Sequence, residues 1–365
     1  MALNCGIIGL TNTGKTTIFN CISNTKAESS SYAFSATKSN IGVVDVVDPR
    51  LYALNDLVHS EKIIPATVEI VDLPGLAKGS STGEGVGNKF LADIQVTDAI
   101  IHVLRCFDDD NLPHIEGSVD PIRDMEIVDF ELQVRDLDLI ERKMTRMEKL
   151  IKTGDKEAKK SKEILEVYKN HLENFGNARN APVGEDDIYV IQDMLLLTAK
   201  PVIYVCNVDA DSAVTGNAYV EKVKKQLEGS DSLMLVIAGE LEAEIAELED
   251  EDDRKEFLSD AGLNEPGVDK LVRAAYDILN LQSFFTVGPK EIRAWTIKKG
   301  MKAPAASGVI HSDLERGFIR AEVIKYDDYI QYKTEPAVKL AGKFHVEGKN
   351  YVVDDGDIMH IRFNV

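Results

Sequence analysis

Residues 9–16 read Gly9-Leu10-Thr11-Asn12-Thr13-Gly14-Lys15-Thr16. The pattern G-x-x-x-x-G-K-[ST] restricts the fold more than any other stretch, because it works in one setting only. A buried strand must precede it and a helix must follow. The turn's N–H groups and the helix N-terminus then converge on one phosphate, where the helix dipole also favours negative charge. Both flanks are present: Leu3-Asn4-Cys5-Gly6-Ile7-Ile8 suits a buried strand, and Thr17-Ile18-Phe19-Asn20-Cys21-Ile22 continues a helix. The predicted cradle is Asn12, Thr13, Gly14, Lys15, Thr16 and Thr17. Lys15 would reach the β- and γ-phosphates, and the Thr16 hydroxyl would hold Mg²⁺.

The parts of a nucleotide switch follow in order. Thr37 stands before a β-rich run some twenty residues past the loop, where switch proteins place a Mg²⁺-coordinating hydroxyl. Thr67-Val68-Glu69-Ile70-Val71-Asp72 reads as a strand ending in a metal-binding carboxylate. Asp72-Leu73-Pro74-Gly75 then offers the Gly75 N–H to the γ-phosphate. Leu76 occupies the place where familiar GTPases carry a water-orienting Gln, so hydrolysis should be slow, partner-dependent or served by another group. Residues 78–90 hold four glycines and read as a second switch. His114 ends a polar loop that leaves the strand 98–105, and it is a candidate to orient or deprotonate water.

The strand Val202-Ile203-Tyr204-Val205-Cys206-Asn207 ends where GTPases carry N-K-x-D. Here the Lys slot is Val208 and the Asp slot is Ala210, which can accept no hydrogen bond from guanine. Loss of that device favours adenine. Asp209 lies beside the slot.

Between these strands the pattern changes. Ile127, Phe130, Val134, Leu137, Ile140, Met144, Met147 and Ile151 recur three and four residues apart, predicting a long amphipathic helix. A turn at 153–155 leads into a second helix with Ile164, Leu165, Tyr168, Leu172 and Phe175 inward. Together they predict an antiparallel arm with basic residues near its tip. The last eighty-odd residues read as a small α+β module suited to binding.

Composition bounds the partners. The formal net charge is −20, which argues against non-specific coating of nucleic acid. Residues 141–162 nevertheless carry nine Lys/Arg against four acids, and 290–302 carry five against one, leaving room for local RNA contact. No apolar run approaches a membrane span, no signal peptide is evident, and the four scattered cysteines read as reduced core residues. The expected compartment is the cytoplasm, with no membrane association.

Taken together, the P-loop run, Thr37-x-x-Asn40-x-Gly42-Val43-Val44, Asp72-x-x-Gly75-Leu76, Gly83-Glu84-Gly85-Val86-Gly87-Asn88-Lys89-Phe90, the helical insertion, Asn207-Val208 and the C-terminal segment resemble the YchF, or Obg-like ATPase, family. The resemblance covers essentially the whole chain. It implies an α/β P-loop NTPase sheet (residues 1–124 and 199–280), an inserted antiparallel coiled-coil arm (125–198) and a C-terminal β-grasp, TGS-like α+β domain (281–365). It further implies ATP as substrate in preference to GTP, Mg²⁺ on Thr16 and Thr37, base contact near Val208, a catalytic role for His114 and association with ribosomes. Two positions depart from the family pattern: Ala210 replaces an acidic residue, and Ser39 stands where Pro is common. A GTPase with a degenerate base site, or a binding module that does not hydrolyse nucleotide, remain alternatives.

Overall fold

The computed structural model describes residues 3–23, 40–75 and 86–364. Thr37, Ser39 and Leu76 lie outside the described residues, as does 78–85 of the glycine-rich run. In chain order the strands are β1 (Asn4–Ile8), β2 (Asn40–Val46), β3 (Ile63–Ile64), β4 (Ala66–Asp72), β5 (Ala99–Arg105) and β6 (Val202–Asn207). They continue with β7 (Leu233–Ile237), β8 (Leu281–Val287), β9 (Ile292–Lys298), β10 (Phe318–Ile324), β11 (Phe344–Glu347) and β12 (Ile358–Phe363).

The first sheet has the order β2-β4-β1-β5-β6-β7. The pairs β1 with β4, β1 with β5, β5 with β6 and β6 with β7 are parallel. Every residue of β5 and β6 is buried. That burial explains why these strands read as unbroken apolar runs instead of alternating ones. Their carboxyl ends gather the functional segments on one edge, as expected for an open α/β sheet. β1 delivers the P-loop, β4 ends in Asp72, β5 opens into loop 106–114, and β6 ends in Asn207.

The chain divides into two compact units, Met1–Gly42 with Glu69–Lys270, and Val43–Val68 with Leu271–Val365. The second unit contains a mixed sheet of order β11-β10-β12-β8-β9-β3. β8 and β9 pair antiparallel, as do β10 and β12, while β12 runs parallel to β8. Ala303 and Ala306 of helix Ala303–Ile310 pack with Phe284, Ile297, Val323 and Met359 in its core. Residues 43–68 belong to this unit: Ile63 pairs with Ile292, and Arg50 bonds Asp355 at 2.7 Å while lying over the Phe285 ring.

The arm consists of helices Pro121–Lys152 and Lys156–Glu173. Asp120 and Asp155 cap their N-termini by accepting backbone N–H groups, and Gly154, at φ 90°, makes the turn. Ile140, Ile164, Leu165, Tyr168 and Leu172 form the shared core. Two predicted inward residues face out instead: Phe130 is 48% and Phe175 is 74% exposed. The second helix is 18 residues long against 32, and Phe175 lies beyond its end. Asp136 fixes the arm's base. Its buried carboxylate accepts Leu197 N–H (2.8 Å), Thr198 N–H (2.7 Å) and the Thr198 hydroxyl (2.6 Å). No helix among the described residues is long and apolar enough to cross a membrane.

Candidate functional site

The P-loop bends through Gly9, Asn12 and Gly14, all at positive φ. Two of these turns are tied to sterics as well as to φ. A Cβ on Gly9 would lie 2.4 Å from the Val103 carbonyl oxygen, and one on Gly14 would lie 2.1 Å from Asn207 Nδ2. Gly14 caps helix Lys15–Ile22, which begins on the lysine itself. Lys15 is buried and donates from Nζ to the Leu10 carbonyl at 2.5 Å, and the Thr13 hydroxyl donates to the same oxygen at 3.1 Å. Burial pulls the Lys15 ammonium down to about 8, against the opposing pull of Asp72.

Asp72 lies at the other wall. Its Oδ2 accepts the Thr16 hydroxyl at 3.0 Å, while its buried Oδ1 has no hydrogen-bond partner among the described residues. Burial raises this carboxyl, while Lys15 and the Thr16 hydroxyl draw it back down. A hydroxyl and an orphaned carboxylate oxygen side by side are the donor chemistry a hard divalent cation requires. Gly75 closes the same corner: a Cβ there would meet Thr11 Oγ1 at 3.1 Å and Lys15 Nζ at 3.4 Å.

Asn207 ties the loop to the base side. Its Nδ2 donates to the Thr13 carbonyl at 2.9 Å, and its Oδ1 accepts Gly239 N–H at 2.9 Å. Val208 is buried and donates its N–H to the Ile237 carbonyl at 2.9 Å, so a base can meet only its carbonyl and side chain. Asp209 caps the turn Ala210–Ser212 by accepting Ser212 N–H at 2.9 Å. That bond holds one oxygen of the Asp209 carboxylate in its own turn, and Ala210 supplies no carboxylate.

The loop that carries His114 touches the P-loop, and the His114 ring does not. Asn12 Nδ2 donates to the Pro113 carbonyl at 3.0 Å, which fastens loop 106–114 to the P-loop. The imidazole itself is 3% exposed, with Nε2 2.8 Å from Asp124 Oδ2 and Nδ1 accepting Glu116 N–H at 3.1 Å. That pairing assigns the proton to Nε2. Arg123 holds the other oxygen of Asp124 through Nε (3.2 Å) and Nη2 (3.0 Å).

Comparison with known proteins fits this geometry. A family model described as 50S ribosome-binding GTPase matches residues 4–168, and the YchF-GTPase C-terminal model, described as a protein of unknown function, matches 281–364. A Haemophilus ducreyi protein named ribosome-binding ATPase YchF is 48% identical over 365 residues, covering all of both chains. Its Bacillus subtilis namesake is 46% identical over 367 residues, again with full coverage. The chain belongs to the YchF family. A solved Schizosaccharomyces pombe structure, titled as a YchF GTPase, is 34% identical, with a TM-score of 0.86 over 99% of this chain and 97% of that one.

One residue of this YchF-family site escapes sequence reasoning. Arg105 ends β5 and is 1% exposed. Its guanidinium donates to three carbonyls of the following loop, Phe107 (3.1 Å), Leu112 (2.8 Å) and Asp109 (3.3 Å), and lies 4.7 Å from the Phe107 ring centre. The loop that carries Pro113 and His114 is thus wound around one planar fork of donors. The only signal in the sequence is a charge at the end of a mostly apolar strand. His102, by contrast, sits buried in β5 beside Tyr204, as a structural residue would.

Proposed function

We propose that this YchF-family chain is a Mg²⁺-dependent ATPase that prefers ATP to GTP and works in the cytoplasm as a slow switch read by ribosomes. The class of enzyme follows from full-length relatives named as ATPases. The reaction adds water to the γ-phosphorus of ATP and releases ADP and inorganic phosphate. The observation that carries the nucleotide preference is the base corner. Asn207 is bound to Thr13 and Gly239, Asp209 turns one oxygen to Ser212 N–H, and Ala210 stands in the slot whose carboxylate pairs with guanine's N1–H and amino group.

Lys15, the P-loop amides from Asn12 to Thr17 and Gly75 N–H hold the triphosphate and stabilise the charge that develops on it. Thr16, Asp72 and Thr37 are the residues that would hold Mg²⁺, which neutralises charge on the β- and γ-phosphate oxygens when bound. Leu76 cannot orient water, which keeps turnover slow. His114 takes that task after leaving Asp124 and Glu116 N–H for the nucleotide. His114→Ala then lowers kcat by about 100-fold while ATP affinity stays within about twofold of the native value. Single-turnover hydrolysis beside equilibrium binding checks both. Unchanged turnover would remove His114 from the mechanism.

The switch has two outputs, the arm (125–198) and the TGS-like C-terminal domain (281–365). Arg146, Lys149, Lys152 and Lys156 are exposed at the arm's tip and suit RNA phosphates. The test is co-sedimentation with ribosomes. More of the chain pellets with a non-hydrolysable ATP analogue than with ADP, and equal pelleting in both would defeat the switch.

A further inference from the structure

Phe175 stands in a conformation that suits glycine. It follows helix Lys156–Glu173 at φ 60°, the left-handed position of a helix C-terminal turn. The two hydrogen bonds of that turn are both made, Gly176 N–H to the His171 carbonyl (2.9 Å) and Phe175 N–H to the Leu172 carbonyl (3.0 Å). The chain has a glycine one residue later, where a Cβ would collide with the His171 ring at 2.3 Å. An aromatic residue therefore occupies the strained position.

The surroundings enforce this placement. Buried Gln133 donates from Nε2 to the Phe175 carbonyl (3.1 Å) and to Asn177 Oδ1 (3.0 Å), and Asn177 Nδ2 donates to Asp129 (3.0 Å). Strain of this kind persists only where neighbouring groups over-determine it, and such places are often ligand clamps. What the strain presents is an aromatic pair. The Phe130 and Phe175 rings lie 6.4 Å apart at 34°, and both are exposed, at 48% and 74%. Packing within the arm does not account for either ring.

The charge around the pair selects the partner. Glu126 is exposed one turn before Phe130 on the same helix, and Glu173 is half-exposed two residues before Phe175. Lys169 is shared by two acids, Glu141 and Glu173, and Arg123 is matched by Asp124, so these cations leave the rim net negative. An acidic rim repels a phosphate backbone and attracts lysine and arginine. We infer that the Phe130–Phe175 pair is a docking site for a protein surface with an apolar pocket ringed by basic residues, which on a ribosome is a ribosomal protein and not RNA.

The inference rests on the ribosome-associated reading above, and one set of experiments separates the two. Phe175→Gly removes the ring and relieves the strain, so it leaves the fold and basal ATP turnover intact; Phe130→Ala removes the second ring. Aromatic anchors dominate interface energy, so each variant weakens ribosome binding by about tenfold or more in ATP-analogue co-sedimentation. A photoreactive benzoylphenylalanine at position 175 then crosslinks to a ribosomal protein. Native-strength binding by Phe175→Gly overturns the inference, and so do crosslinks confined to ribosomal RNA or to another copy of this chain. Failure of the native chain to pellet with ribosomes overturns both readings, whereas loss in the variants alone supports both.

Discussion

Replacing Lys15 with methionine lowers kcat/KM for ATP by about 10³-fold. The ammonium is the one side-chain cation placed inside the P-loop among the described residues, held on the Leu10 carbonyl and beside Asp72. Methionine keeps the length and the apolar stem but donates nothing to the β- and γ-phosphates. Losing one preorganised donor from a dry site costs about 10²–10³ in kcat, and weaker ground-state binding adds to that. Thr16, Asp72 and Asn207 remain, so the loop keeps its shape. Steady-state phosphate release against ATP concentration, with circular dichroism to show an unchanged fold, measures the effect.

Replacing Asp136 with alanine destabilises the chain by about 4 kcal/mol without touching the nucleotide site. Three donors, two of them backbone N–H groups of Leu197 and Thr198, lose their acceptor at a fully buried position where water cannot replace it. Urea unfolding followed by far-ultraviolet dichroism reports the loss, because the two long arm helices contribute strongly to that signal. The pH dependence has a definite sign. Burial raises the Asp136 carboxyl from an ordinary 3.8 to about 6, against the pull of its donors. Between those values the folded chain holds a proton that the unfolded chain has released. Asp136's contribution to stability therefore falls as pH rises from about 4 to about 6, and this slope disappears in the alanine variant.

The parts legible in the sequence are those with local signatures. A P-loop needs a strand, a turn and a helix within about twenty residues, and β1 and helix Lys15–Ile22 lie where the pattern demands. Asp72 and Asn207 were readable because each ends an apolar run, and parallel strands deliver their last residues to one edge. The arm was readable from its spacing, but Phe130 and Phe175 show the limit of periodicity. It cannot see where the partner helix stops, nor that a residue just past a helix end turns outward.

Long-range placement left no local trace. Residues 43–68 pack with the C-terminal residues through pairings such as Ile63 with Ile292, more than two hundred positions apart. Arg105 was hidden for another reason: its partners are backbone carbonyls, and any loop sequence supplies those. His114 was legible as the end of loop 106–114, but the engagement of its ring by Asp124 and Glu116 N–H depends on how the arm's first turn meets that loop.

The most direct test is competition between ATP and GTP for one labelled nucleotide at equilibrium with Mg²⁺. The base corner built from Asn207, Val208, Asp209 and Ala210 predicts that ATP displaces the label at lower concentration than GTP. Displacement by GTP at a tenfold lower concentration than ATP would contradict it.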